Sequence, residues 1–212
     1  MVVIYSQLLK EEFSSRFDDK ALTYLNFAVE GALRMESLIR DLLAYSRASS
    51  PADTPQGGIL VADAVDSAVS NLKLQIEQSH ARIIVGELPR LHVPEIHLSL
   101  VFQNLISNAV KYRRPDADPE ISISAVEKAG EWIFAVQDNG IGIDPQYHDH
   151  IFRVFRRLHG AEYPGTGIGQ ALCQRLIERN GGKIWVTSGA TSGATSGAGS
   201  TFFFPLPVFQ SI

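Results

Sequence analysis

The sequence changes character once, at a short segment that separates two different folding patterns. Residues 48–58 read ASSPADTPQGG, and this concentration of Pro, Gly, Ser and Asp predicts a linker or a domain boundary. Residues 1–48 contain no Pro and a single Gly, whereas patterns of strand and helix alternate after the break. We therefore predict a helical unit at 1–48, a linker at 49–58 and an α/β unit at 59–212.

The first unit is predicted to be a helical hairpin. Residues 2–13 read as a short helix, and SSRFDD at 14–19 reads as a turn. In the second helix, apolar residues recur at alternating spacings of four and three, which makes a heptad seam of Ala21, Leu25, Ala28, Ala32, Met35, Ile39 and Leu42. Further leucines widen this seam, so the helix needs more than one packing partner, and we expect a homodimer.

The second unit is predicted to be an α/β sandwich within an α+β chain, with a mixed sheet and helices on one face. Helices are predicted at 61–78, 94–112, 145–155 and 168–180. Strands are predicted at 81–85, 121–126, 132–136, 183–187 and 201–206.

Composition excludes several classes of protein. Lys and Arg number 19 and Asp and Glu number 23, so the net charge of −4 does not supply the basic field that nonspecific nucleic-acid binding requires. The lone Cys173 excludes an internal disulfide and a cysteine-rich zinc site. No apolar run approaches the roughly 18–20 residues of a membrane span. We therefore expect a cytoplasmic protein with no membrane segment in this chain.

Polar side chains form one stripe along the predicted helix at 94–112. Asn104, Asn108 and Lys111 stand at i, i+4 and i+7, so they share one face. An Asn oxygen suits a hydrated magnesium ion, and a Lys ammonium neutralises phosphate charge. A merely solvated helix face is the alternative interpretation.

A second candidate segment, QDNGIGID, follows the predicted strand at 132–136. Gly140 and Gly142 permit close approach of a ligand. The carboxylate of Asp138 only accepts hydrogen bonds, so it favours the amino group of adenine over the carbonyl of guanine. A D-N-G turn without a ligand is the alternative.

The third segment, PGTGIG at 164–169, enters the predicted helix at 168–180. Its three glycines expose backbone N–H groups at a helix N-terminus, which suits phosphate. The spacing excludes both the dinucleotide-binding fingerprint and the Walker A loop. Just upstream, Arg156 or Arg157 of IFRVFRRLH can reach a terminal phosphate; exposed arginines beside an aromatic core are the alternative.

Two further features are interpreted as lying outside any site. TSGA occurs three times in tandem at 187–198, which predicts a flexible loop, with a glycine-rich phosphate loop as the alternative. His148 and His150 lack a third ligand to complete a metal site, so they are interpreted as surface histidines.

In their order and spacing, these segments resemble the ATP-binding domain of sensor histidine kinases. NLISNAVKY, DNGIGI, IFRVFRRLHG, GTGIG and GSTFFFPLP are similar to the N box, G1 box, F box, G2 box and final G-T-F strand of that family. The family shares its nucleotide fold with Hsp90, the MutL proteins and type II topoisomerases. The resemblance covers residues 59–208, and residues 1–48 resemble the dimerisation and phosphotransfer hairpin of kinases related to bacterial phytochromes and PAS-domain sensors.

The resemblance implies ATP and Mg²⁺ as cofactors, with Asn108 as the magnesium ligand. The other nucleotide-binding residues that it implies are Asn104 and Lys111 at the metal or phosphates, Tyr112, Asp138, Gly140 and Gly142 around the base, Arg156 or Arg157 at the γ-phosphate, Gly165, Thr166, Gly167 and Gly169 in the hinge of the ATP lid, and Thr201 near the adenine.

Three departures from the family pattern matter. The acceptor histidine should lie a few residues before Ile4 and Tyr5, yet the six histidines are residues 80, 92, 97, 148, 150 and 159. We therefore expect a chain truncated within its first helix, which binds ATP but does not autophosphorylate in the usual way. Gln170 stands where the family usually has Leu, which we expect to alter packing at the lid hinge. The TSGA repeats are expected to leave the pocket intact, although they adjoin Thr201.

The resemblance implies transfer of the ATP γ-phosphate to a histidine that is absent from this chain, and then to an aspartate on the receiver domain of a response regulator. The alternative is a catalytically silent nucleotide-binding or dimerisation module that scaffolds a signalling partner. The hairpin and the acidic charge argue against a third class, an ATP-gated chaperone or DNA-repair relative.

Overall fold

Two helices precede a mixed α/β unit in the computed structural model, which describes residues 2–13, 17–47, 58–156, 158, 165–188 and 199–208. The helices are α1 (Val2–Phe13), α2 (Asp19–Arg47), α3 (Val61–Asn71), α4 (Lys73–Ser79), α5 (Glu95–Lys111) and α6 (Gly169–Arg179). The strands are β1 (Ile59–Leu60), β2 (Arg82–Val85), β3 (Arg90–Leu91), β4 (Glu120–Lys128), β5 (Glu131–Asp138), β6 (Trp185–Ser188) and β7 (Ser200–Pro207). The linker predicted at 49–58 lies outside the described residues except for Gly58, and so do residues 189–198 of the TSGA repeats.

A five-stranded mixed sheet has the order β2-β4-β5-β7-β6. The pair β2–β4 is parallel, and the other neighbouring pairs are antiparallel. The strands β1 and β3 form a separate antiparallel pair of two residues each, which the sequence analysis does not anticipate. The predicted sandwich is confirmed, because the buried faces of α3, α5 and α6 share one apolar core with the sheet.

Three phenylalanines join α5 to the centre of the sheet. The ring centroid of Phe102 lies 6.4 Å from that of Phe134 on β5 and 6.0 Å from that of Phe204 on β7. The latter two rings stack with centroids 5.1 Å apart, and all three side chains are fully buried. Edge and stacked contacts of this kind add about 0.5–1.5 kcal/mol per pair beyond the burial of apolar area. They fix which face of α5 points away from the sheet.

One predicted helix is absent. The prediction at 145–155 is wrong beyond its first turn, because only Pro145–Tyr147 forms a 3₁₀ helix, and separate turns continue to Phe155. The side chain of Asp144 caps this turn at the N–H of Gln146, and most of the following backbone bonds join residues three apart. Phe155 has a positive φ of 63° and donates its N–H to the carbonyl of Gly167, so the segment is held by the glycine loop at 165–169 instead of by a continuous helix.

The helix predicted at 61–78 is divided in two. The backbone at Leu72 leaves the helical region, with φ −103° and ψ 6°, and separates α3 from α4. The N–H of Leu72 is shared between the carbonyls of Ala68 and Val69, and its side chain is buried. Burial of Leu72 in the core therefore accompanies a tightened turn at this position.

The hairpin helices leave much of their apolar seam exposed. The helices α1 and α2 pack against each other, and the seam residue Ala32 is buried. Further along the seam, the exposed fractions are 58% for Met35, 61% for Ile39 and 53% for Leu42. In the described part of the chain, no helix has an apolar stretch long enough to span a bilayer.

A buried histidine links α5 to the end of α6. His97 is 4% exposed, and its ring Nδ1 lies 3.1 Å from Nδ2 of Asn180, which also donates to the carbonyl of Leu176 at 2.6 Å. Burial is the largest effect on the pKa of His97 and lowers it below the ordinary 6.5. The contact with Asn180 raises this pKa, and the positive charge of Arg179 lowers it.

We expect His97 to make the fold less stable in mild acid. Because its pKa is lower in the folded chain than in the unfolded chain, the unfolded chain takes up a proton first as the pH falls below 6.5. The melting temperature should therefore fall between about pH 7.5 and 5.5, and His97→Gln should flatten that slope. Thermal unfolding followed by circular dichroism measures both. The exposed His80 is the control site, and His80→Asn should keep the wild-type slope; equal slopes in His97→Gln and the wild type would contradict the assignment.

Candidate functional site

One cavity of about 830 Å³ lies between α5, the end of β5 and the glycine loop that enters α6. The predicted site residues that line it are Asn104, Asn108, Lys111, Tyr112, Asp138, Gly142, Arg156, Gly165, Thr166, Gly167 and Gly169. Gly140 and Thr201 do not line this cavity, and Arg157 lies outside the described residues. Three separate sequence segments thus meet around one space.

The polar stripe of α5 faces the cavity because the phenylalanine cluster holds the opposite face on the sheet. Asn104 donates its side-chain N–H to the carbonyl of Leu100 at 2.9 Å, which turns its Oδ1 toward the start of α6. That oxygen stands so close to Gly169 that a Cβ there would collide with it. A larger residue at 169 would therefore displace the Asn104 amide from the start of α6.

Lys111 lies at the end of the stripe, beside the glycine loop. Its Nζ is 2.8 Å from the hydroxyl of Tyr112 and 4.3 Å from the centroid of the same ring. A Cβ on Gly165 would lie 2.7 Å from this Nζ. The ammonium group thus provides positive charge where the loop approaches α5.

Asp138 ends β5 with its carboxylate oriented by two backbone groups. Its Oδ1 accepts hydrogen bonds from the N–H of Gly140 at 2.8 Å and of Ser200 at 3.2 Å. Both bonds go to the same oxygen, so Oδ2 receives no donor from the described residues. Burial is the main effect on the pKa of Asp138 and raises it above the ordinary range, while the two N–H groups act in the opposite direction. A donor on a ligand would offset this cost of burial.

Gly140 packs closely between the Asp138 carboxylate and the backbone of Tyr112. A Cβ at this position would lie 2.6 Å from the carbonyl oxygen of Tyr112 and 2.8 Å from Oδ1 of Asp138. The next residue, Ile141, donates its N–H to the same Tyr112 carbonyl at 3.0 Å. The close approach joins the loop after β5 to the end of α5.

Side chains alternate between the two faces of β7, and this alternation places Thr201 outside the cavity lining. Ser200 and Phe202 line the cavity, whereas Thr201 stands between them on the strand, and successive strand residues face opposite sides. Sequence analysis missed the contribution of Ser200, whose backbone N–H reaches Asp138. The period of two in STFFFP was the signal that could have identified it.

Helix α2 supplies a further wall that the sequence analysis did not foresee. Six residues of this helix line the cavity, namely Glu30, Leu33, Ser37, Arg40, Asp41 and Ala44. The hydroxyl of Thr166 donates to Oδ2 of Asp41 at 2.5 Å, and the guanidinium of Arg175 lies 5.7 Å from the ring centroid of Tyr45. These contacts join residues more than a hundred positions apart in the sequence, so no local sequence pattern predicts them.

The oxygen donors in the cavity suit a hard cation better than a soft one. Among the described residues, no three His, Cys, Asp or Glu side chains cluster as metal ligands. His148 has its Nε2 3.1 Å from the carbonyl of Ile143, and the buried Cys173 thiol has its pKa raised by burial to about 12. The amide oxygens of Asn104 and Asn108 fit a magnesium ion that keeps part of its water shell.

Comparison with known proteins gives the same assignment as the geometry. Residues 94–210 match the family described as histidine kinase-, DNA gyrase B- and HSP90-like ATPase. The chain is 43% identical over 208 residues to phytochrome-like protein Cph1 from Synechocystis sp., which covers 96% of this chain and 26% of Cph1. The chain thus spans about a quarter of the length of the curated relatives it matches.

Solved structures show the same fold. The full-length ShkA in complex with AMPPNP is similar with a TM-score of 0.68 at 22% identity, over 97% of this chain and 42% of ShkA. The histidine kinase ThkA, in its complex with response regulator protein TrrA, is similar with a TM-score of 0.64 at 18% identity, over 97% of this chain and 58% of ThkA. The resemblance to sensor histidine kinases is confirmed. The sheet order, the cavity and the match over residues 94–210 together show that this chain belongs to the histidine kinase-, DNA gyrase B- and HSP90-like ATPase family.

Proposed function

We propose that this chain is the ATP-binding catalytic core of a two-component sensor histidine kinase. The observation that carries the proposal is the meeting of the α5 stripe, the Asp138 carboxylate and the glycine loop around one cavity. The match to the family of ATPases and the likeness to ShkA, which was solved with an ATP analogue, support ATP as the nucleotide. The cytoplasm supplies ATP, which supports a cytoplasmic location for this catalytic core.

Asp138 would select the base. Its Oδ2 faces no donor from the described residues, while Oδ1 is already held by two N–H groups. A carboxylate has no proton to donate, so it pairs with the amino group of adenine and repels the carbonyl oxygen of guanine. Gly142 and Tyr112, which also line the cavity, would border the base and the ribose.

The α5 stripe and the glycine loop would hold the triphosphate. Asn108 would ligate magnesium with its amide oxygen, and a bound magnesium ion would neutralise phosphate charge. Lys111 would contact a phosphate oxygen, and Asn104 would orient the metal or the phosphates. The loop of Gly165 to Gly169 would present N–H groups at the start of α6, where the helix dipole favours an anion. Arg156 would approach the γ-phosphate.

Catalysis would consist of positioning and charge neutralisation. A histidine that is absent from this chain would attack the γ-phosphorus in line, and the bond to the bridging oxygen of ADP would break. The phosphoryl group would pass next to an aspartate of a response regulator. ThkA has been solved in complex with the response regulator TrrA, which supports this class of partner.

The hairpin of α1 and α2 would form a homodimer. Met35, Ile39 and Leu42 place large apolar side chains on one exposed face of α2. Burying such a face against a second copy in a four-helix arrangement removes it from water, and each fully buried side chain contributes about 1.5–3 kcal/mol. We propose residues 1–48 as the dimerisation unit and residues 59–212 as the catalytic unit, joined by the linker at 49–58.

The base assignment predicts a large loss of affinity in Asp138→Asn. The change replaces one carboxylate oxygen by an amide NH₂ group, which donates hydrogen bonds, and it removes the negative charge. The affinity for an ATP analogue in Mg²⁺ should therefore fall about tenfold to a hundredfold. The nucleotide-free variant should melt at or above the wild-type temperature at pH 7, because burial raises the pKa of Asp138 and its charge opposes folding above that pKa. Isothermal titration calorimetry and thermal unfolding measure the two effects.

Asp144→Asn provides the matched control. Asp144 lies in the same loop, is exposed and does not line the cavity. Its substitution should leave nucleotide affinity unchanged. Wild-type affinity in Asp138→Asn would overturn the adenine assignment.

The kinase assignment predicts phosphorylation in trans. The chain, mixed with labelled ATP and a full-length related kinase that carries the acceptor histidine but a disabled ATP site, should transfer label to that histidine. Asp138→Asn should abolish the transfer, and its absence with the wild-type chain, under conditions where nucleotide binds, would favour the scaffolding alternative. Acid lability of the label distinguishes phosphohistidine from phosphoserine.

The dimer assignment predicts that a charge on the exposed seam separates the protomers. Ile39→Lys would bury an ammonium group in the interface, so the dissociation constant should rise at least about tenfold. Sedimentation velocity over a range of concentrations measures it. Thr23→Lys adds the same charge on the opposite, exposed side of α2 and should leave the dimer intact. A wild-type chain that stays monomeric at the highest concentration would contradict the proposal.

A further inference from the structure

The side-chain hydroxyl of Ser188 joins two loops that meet at the Asp138 end of the cavity. Ser188 is the last residue of β6, and its Oγ donates to the carbonyl of Gly199 at 2.7 Å. The same Oγ accepts the N–H of Ile143 at 2.9 Å. A serine hydroxyl both donates and accepts, so a single side chain satisfies both backbone groups. Ser188 itself does not line the cavity, so its effect on a ligand must pass through the loops that it holds.

Each of these loops carries one of the two N–H groups that orient Asp138. Gly140, whose N–H binds Oδ1 of Asp138, lies in the loop after β5 together with Ile143. Ser200, whose N–H binds the same oxygen, directly follows Gly199 in the chain. The hydroxyl therefore bridges the two segments whose N–H groups reach one carboxylate oxygen.

The pairing of the strands does not extend to Gly199. The last pair between β6 and β7 joins Ser188 to Ser200, and Gly199 lies beyond it with a positive φ of 65°. Gly199 packs so closely on the backbone of Asp138 that a Cβ would collide with the Asp138 carbonyl. A shift of Gly199 would therefore be transmitted directly to the end of β5. The hydrogen bond from Ser188 restrains Gly199 at this contact.

We propose that Ser188 is a positioning residue for recognition of the base. Its hydroxyl holds Gly199 and Ser200 against the loop after β5, and the Asp138 carboxylate thereby presents its Oδ2 to the amino group of adenine. The inference rests on the proposed function, in which Asp138 selects the base. It gives β6, which lies at an edge of the sheet, a part in nucleotide specificity without contact with the ligand.

A purely structural role for Ser188 predicts a different result. If the hydroxyl only satisfies two backbone groups at the end of a strand, its removal lowers stability and weakens the binding of all nucleotides equally. If it orients Asp138, its removal weakens only those nucleotides that carry a donor for Oδ2. A nucleotide that lacks this donor separates the two roles.

The experiment titrates ATP and purine riboside triphosphate, which lacks only the amino group of adenine, into the whole chain by calorimetry with Mg²⁺. In Ser188→Ala, the affinity for ATP should fall about threefold to tenfold, while the affinity for the purine nucleotide stays within about twofold. In the Asp138→Asn background, the same change should have no further effect on the affinity for ATP, because the carboxylate that it positions is gone. Ser188→Cys, which offers a weaker donor, repeats the test should alanine perturb the fold.

Thr187→Ala is the matched control. Thr187 is the neighbouring residue of β6, is exposed and faces the opposite side of the sheet, so loss of its hydroxyl should leave both affinities at the wild-type value. Equal losses for ATP and the purine nucleotide in Ser188→Ala, or no loss for ATP, would overturn the role of Ser188, while tighter binding of ATP than of the purine nucleotide by the wild type still supports the proposed function. A wild-type chain that binds neither nucleotide would overturn the proposed function itself.

Discussion

The contact of Phe102 with Phe134 and Phe204 is the constraint on which the site depends. With about 100° of rotation per residue, fixing Phe102 on the sheet turns Asn104 and Asn108 toward the side of α5 that faces α6 and the cavity. The same sheet sets the position of Asp138 relative to α5, because β5 carries both Phe134 and this carboxylate. Packing in the core and chemistry in the cavity are therefore two consequences of one docking geometry.

Two groups in the cavity oppose the stability of the fold. Burial destabilises the charged form of the Asp138 carboxyl group and so raises its pKa, and among the described residues Oε1 of Gln170 is buried without a hydrogen-bond partner. Natural sequences keep such features mainly at functional sites, where a ligand supplies the missing interaction. Both residues line the same cavity, so the features that oppose stability are concentrated at the candidate site.

The sequence predicted the elements whose patterns are long and local. The seam of α2, the stripe of α5 and the strand pair of β4 and β5 have clear periodicities, and five segments in order identified the family. The local sequence pattern at 145–155 predicted a helix wrongly, because a hydrogen bond from Phe155 to Gly167 replaces helical hydrogen bonds there. The roles of Ser200 and of Asp41 depend on strand alternation and on contacts between distant segments, which no single window contains.

The cavity has walls from both parts of the chain, and this makes its shape depend on the position of α2. The hydroxyl of Thr166, in the glycine loop, donates to the carboxylate of Asp41, so that loop is held by the hairpin helix in this arrangement. A carboxylate there adds negative charge beside the place proposed for the phosphates, and like charges at close range repel. A triphosphate bound there would therefore be repelled by Asp41, and the cation that accompanies the nucleotide would offset this repulsion.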